Sequence, residues 1–132
     1  MRQVSVHNVP DSTGDETIAV GAAATVYTKA IKIEKMEYFG LKYRATSVAG
    51  APNVKIEIEQ SDRLPATEGS SDAHYVEPEG MADIESALVT ETWHIKTLSP
   101  VVAPYIRFKI TEGGAQSDTI VELTLMTQEE LR

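Results

Sequence analysis

Val54-Lys55-Ile56-Glu57-Ile58-Glu59 is the stretch that decides the fold: apolar residues stand at 54, 56 and 58, and charged residues at 55, 57 and 59. A period of two is that of a β-strand with one wet face. On a helix the same three apolar side chains would scatter around the axis. Upstream, Phe39, Leu41 and Tyr43 alternate with Gly40, Lys42 and Arg44, and between the two runs lies the turn cluster VAGAPN, with Gly50 and Pro52. A hairpin joining these strands would set Lys42 opposite Glu59 and Arg44 opposite Glu57, each pair contributing about 0.2–1 kcal/mol. The apolar residues would then share the other face.

The C-terminal third repeats the pattern. Ile106, Phe108 and Ile110 alternate with Tyr105, Arg107 and Lys109, and Val121, Leu123 and Leu125 alternate with Glu122, Thr124 and Met126. TEGGAQSD connects them, with Gly113 and Gly114 free to take positive φ. A second hairpin would pair Phe108 with Val121 and Ile106 with Leu123, and place Arg107 against Glu122. Shorter strands are expected at Val4–Val6, Thr17–Val20, Thr25–Lys29 and Ala30–Lys35. Another is expected at Trp93–Leu98, with Trp93 and Ile95 in the core and His94 on the wet face. MADIESALV reads as the approach to that strand, a helical turn or two being the alternative. Seven or eight short strands at this spacing define an all-β, single-domain antiparallel sandwich or barrel over residues 1–132.

Asp62–Asp83 interrupts the alternation and fits neither strand nor helix. It holds Asp62, Glu68, Asp72, Glu77, Glu79 and Asp83 against Arg63 alone, which is most of the chain's formal charge of −8. A long acidic loop of this kind is usually functional or disordered. Met1–Gly14 reads as an N-terminal arm. The acidic balance argues against a direct nucleic-acid partner, which would need a cationic footprint. The chain has no cysteine, so thiolate and disulfide chemistry are excluded. No apolar run approaches the ~20 residues of a membrane-spanning helix, and the N-terminus lacks the apolar stretch of a secretory signal.

Catalytic candidates are few, and no catalytic residue, cofactor or resident metal is expected. His7 and His94 read as surface residues. His74 lies among Asp72 and Glu77, a donor set a divalent cation could use, but without a recognised spacing. A solvated acidic loop is the stronger reading, with a weak calcium site as the alternative. Ser70 and Ser71 neighbour His74 and Asp72, yet adjacency in sequence does not make a triad, whose members are set by geometry. Tyr27, Tyr38, Tyr75 and Tyr105 could join Trp93 in a sugar-binding surface. Pro100 and Pro104 bracket Val101 and Val102, which read as a loop over the sandwich end or a small contact patch.

The block WHIKTLSPVVAPYIRFKITEGGAQSDTIVELTLMTQEE (93–130), with the earlier strand VKIEIEQSD and its polar excursion, resembles small all-β proteins carried on tailed-phage particles, the head decoration or cement proteins. The resemblance implies a jelly-roll-like sandwich, often trimeric, that bridges neighbouring capsomers. It also implies a place in the virion, assembled in the host cytoplasm, and the major capsid protein or another virion protein as partner. On this reading the loops carry the contacts. Arg63, Glu68, Asp72, His74, Tyr75, Glu77 and Glu79 are the expected partner-binding residues, with Lys42, Arg44, Arg107 and Lys109 as candidates for the reverse contact. Deleting Arg63–Asp83 should leave a folded domain that no longer binds particles. The rival functions are a carbohydrate-binding sandwich, which would need an exposed Trp93, and a small hydrolase with two acids converging in a cleft.

Overall fold

The computed structural model describes all residues except 1, 34–37, 49, 80–81, 99–102, 115, 117 and 131–132. Ten strands form among the described residues: β1 (Arg2–Asn8), β2 (Ile18–Val20), β3 (Thr25–Tyr27), β4 (Ile31–Lys32), β5 (Tyr38–Thr46), β6 (Val54–Ser61), β7 (Glu85–Leu88), β8 (His94–Leu98), β9 (Tyr105–Glu112) and β10 (Thr119–Glu130). They make two antiparallel five-stranded sheets. The first runs β1-β10-β5-β8 with β2 also on β10, and the second runs β3-β9-β6-β7 with β4 also on β9.

The two short pairs are collinear. β1 pairs with residues 124–130 of β10 and β2 with residues 119–121, so together they form one interrupted edge. β3 and β4 do the same along β9. The chain passes from one sheet to the other at six of the nine connections between successive strands, in the manner of a jelly roll. The alternating residues of both sheets meet between them: Leu41, Ile56, Ile58, Ile106, Phe108, Ile110 and Leu125 are all at or near zero exposure.

Both expected hairpins are absent. β5 pairs with β10 and β8, and β6 with β9 and β7, so the strands flanking VAGAPN lie in opposite sheets, as do those flanking TEGGAQSD. The charges found other partners. Arg44 faces Glu122 at 2.7 Å, Arg107 faces Glu59 at 2.8 Å, and Glu57 stands opposite Lys109. The physical reason is degeneracy. Alternation with acids on some strands and bases on others gives charge-matched registers for several pairings, and a connection of six or more residues can cross between sheets as readily as it can turn back.

Other expectations shift in detail. Arg2–Asn8 is a paired edge strand, so half of the expected N-terminal arm, Met1–Gly14, belongs to the first sheet. ESAL within MADIESALV is the strand β7, pairing with β6 across a register shift. Met81, and Glu34 and Lys35 of the expected strand Ala30–Lys35, lie outside the described residues, as do Pro100, Val101 and Val102.

Candidate functional site

The acidic loop is folded down. Its anchor is Arg107, in the middle of β9 on the outer face of the second sheet yet 0% exposed. Arg107 Nε donates to Glu59 Oε1 at 2.8 Å and Nη1 to the Ser70 carbonyl at 2.8 Å. The guanidinium carbon sits 4.3 Å from the ring centre of Tyr27 and 4.5 Å from that of Tyr75. Nη2 has no hydrogen-bond partner; two ring faces supply electrostatic company instead. Three further contacts fix the loop. Gln60 and Val76 exchange backbone hydrogen bonds, the Ala30 amide donates to Glu68 at 3.3 Å, and Gly69, at φ 82°, packs where any Cβ would collide with the Ser12 side chain.

The fold places the seven expected partner-binding residues in different surroundings. Tyr75 is 4% exposed, its hydroxyl donates to the Arg63 carbonyl at 2.7 Å, and burial raises its pKa to about 12. Asp72 accepts the backbone amides of His74 and Ala66, which hold its carboxyl below the usual range. Its carboxylate thus shapes the loop. Glu68 is half-buried against Ala30. Arg63 pairs with the adjacent Asp62 at 2.9 Å. His74 and Glu79 are exposed. Glu77 is drawn to the sheet instead, beside Glu57 and Asp83.

Those three carboxylates place oxygens within 4.8 Å of one another. Glu77 is pushed up to about 7 by desolvation and by its hydrogen bonds and repulsion with Glu57 and Asp83. Lys55 Nζ lies 3.7 Å from Glu57 and 3.9 Å from Asp83. The trio has the hard oxygen donors that calcium accepts, and Lys55 already supplies one compensating positive charge beside it. The sequence reading placed Glu77 with His74; the geometry places it with Glu57, which the alternation of β6 aims outward.

The outer face of the first sheet has no such cover among the described residues. Two rows cross it: Val6, Met126, Gly40 and Thr97, then Asn8, Thr124, Lys42 and Ile95. Val4 is 59%, Val6 65% and Ile95 68% exposed, and Trp93 is 42% exposed. Trp93 and Ile95 were expected in the core. They face outward because β8 pairs with β5 in the register that puts His94 opposite Tyr43, and the His94 and Tyr43 rings stack at 5.4 Å. Lys42 Nζ and the Arg44 guanidinium carbon lie 4.6 Å and 4.3 Å from the Trp93 ring centre. A groove of about 400 Å³ runs over Gly40 between Val4, Ile95, Met126 and Gln128. Of the tyrosines expected to join Trp93, Tyr27 and Tyr75 belong to the opposite face around Arg107, and Tyr105 lies on β9 of that sheet.

No known protein family's profile matches the chain, and no curated protein matches it. Among solved structures it is similar to an exo-β-1,3-galactanase from Phanerochaete chrysosporium, solved with galactose, at 9% identity and a TM-score of 0.43, over 96% of this chain and 27% of that one. The chain thus spans about a quarter of that enzyme's length, and at this TM-score the likeness carries no argument about function.

Proposed function

We propose that this protein is a structural, non-enzymatic component of a virion, a decoration protein that binds an assembled capsid shell and stabilises it. One observation supports the reading: the two outer faces are unequal. The acidic loop folds over Arg107 on the second sheet, leaving Leu64 and Val76 of its own exposed, and the outer face of the first sheet presents Val4, Val6, Trp93 and Ile95 to solvent. A contiguous apolar face rimmed by polar groups marks a surface that meets another macromolecule. A rigid two-sheet body with one such face suits a role in which many copies lie against a repeating surface. Self-association, with a trimer favoured, belongs to the same proposal, and light scattering measures it. The test is co-sedimentation of the purified chain with shells from which it has been deleted. Saturable binding at a fixed number of copies per capsomer, with shells that resist heat better, is the expected result. Absence of binding at micromolar concentration rejects the proposal.

A second reading is favoured by Trp93 alone. An exposed tryptophan on a sheet face can stack on a sugar ring, as a carbohydrate-binding sandwich requires. A glycan array probed with the wild-type chain and with Trp93→Ala separates the two readings.

A further inference from the structure

We infer that the groove over Gly40 receives an apolar projection from a shell protein, and that Lys42 beside it meets a carboxylate on that partner. The inference rests on the shell-binding reading and adds which face docks and what chemistry it meets.

Gly40 is the starting point. Glycine inside a strand weakens it, and the usual reasons for keeping one are a bulge, a sharp bend or the close approach of another molecule. No register shift occurs here: Gly40 pairs in step with Met126 on one side and Thr97 on the other. Its φ is not in the left-handed region. A Cβ at this position would meet Met126 Cε at 3.5 Å and the Lys96 carbonyl at 3.8 Å, which are ordinary contacts. Packing within the chain therefore does not require glycine at 40. What its bare backbone does is floor the groove, which is large enough for one or two side chains and walled by the exposed methyl groups of Val4 and Ile95.

Charge selects the occupant. Among the described charged residues on this face, Arg44 is matched by Glu122. Lys42 has only the Trp93 ring. Six of the chain's 20 acids lie along Asp62–Asp83 and two more, Glu57 and Glu59, on β6 of the other sheet, whereas Glu122 on this face is taken up by Arg44. The face is thus apolar with a cation to offer, on a protein of net charge −8. It fits an apolar knob flanked by an acid. A second copy docked face to face by a two-fold axis would bring its own Lys42 towards this one. The acidic loop then points away from the shell, the reverse of the loop-first docking expected from sequence.

The test uses Gly40→Val, which fills the groove with a residue suited to strands, and Lys42→Glu. Ile95→Glu, on a side chain already in solvent, is a third variant that does not touch the core. The probe is the chain-deleted shell, with urea unfolding run in parallel. Gly40→Val and Ile95→Glu should unfold like wild type yet bind shells at least about tenfold more weakly. Lys42→Glu should weaken binding and reduce its salt dependence. Neutralising Glu68 and Glu79 together should change binding little. If wild type itself does not bind shells, the shell-binding reading fails. If wild type binds and both Ile95→Glu and Gly40→Val bind equally well, that reading survives and the groove inference is overturned. Loss of self-association in Gly40→Val, with shell binding intact, assigns the groove to a second copy and also overturns it. Loss of glycan binding in place of shell binding does the same in favour of a sugar.

Discussion

Replacing Arg107 by methionine should release the loop and cost much of the fold's stability. The side chain is fully buried and its partner Glu59 has only 13% of its side chain exposed. Removing one member of such a pair leaves the other desolvated without compensation, typically about 3–5 kcal/mol. The hydrogen bond to Ser70 and the two ring contacts vanish in the same truncation, so their energies overlap with this figure and do not add to it. Glu59 can regain some water through its exposed edge, which points to the lower end, near 3 kcal/mol. That is a large share of the roughly 5–15 kcal/mol that holds a domain together. Urea unfolding measures the loss, and limited proteolysis between Asp62 and Glu79 measures loop release. Adding Glu59→Leu should recover part of the loss, because a buried pair replaced on both sides by apolar groups is often neutral. Arg107→Lys should fall between, since an ammonium cannot make the two-nitrogen contact or lie flat between two rings. A single Arg107→Met variant within about 0.5 kcal/mol of wild type, its loop still resistant to protease, would refute the anchoring argument.

Two further perturbations follow from the same geometry. Glu77 has a folded-state pKa pushed up to about 7, well above the ordinary range of a glutamate, so over the interval between the two the folded chain holds a proton that the unfolded chain releases. Its contribution to stability is therefore present below about pH 4.5 and is lost as pH rises towards 7. Exposure of Glu77 screens the effect well below its full linkage value. Glu77→Gln should flatten the change in unfolding midpoint between pH 5 and pH 7.5. Glu112 is fully buried and accepts from Thr119 Oγ1 at 2.7 Å, from the Gly114 amide at 2.9 Å and from the Asn53 amide at 3.3 Å. Glu112→Ala strands these donors and should cost about 2–4 kcal/mol by urea unfolding.

Strand content was legible from residues 39–44, 54–59, 106–110 and 121–125 because period-two burial depends only on each strand's own alternation. Pairing was not, because Arg44 and Arg107 each found an acid in the wrong register as well as in the right one. The loop's boundaries were also readable, but its fate was not. Arg107 looked like any outward residue of a half-wet strand, and only the return of Ser70 and Tyr75 over it makes it interior. Trp93 and Ile95 were misplaced by the same limit: alternation fixes that two sets of side chains oppose each other, and hydropathy alone then chose the wrong set for β8. One signal was available and unused. Gly40, set among Phe39, Leu41 and Tyr43 in an otherwise regular strand, already asked for a reason.

The sheet order has a consequence for how the chain is made. Both sheets are organised around β9 and β10, the last two of the ten described strands, with β1, β2 and β5 joining one and β3, β4 and β6 joining the other. The N-terminal β1 has no lateral neighbour until β10 emerges. On the ribosome only the β5–β8 and β6–β7 pairs can form before β9 and β10 emerge, so β1 to β4 must hold their apolar residues unpaired until then. Such long-range closure is slow and leaves strand edges open to association. A prematurely stopped chain ending near residue 118 would lack the centre of the first sheet and should be cleared or aggregate rather than persist as a partial fold.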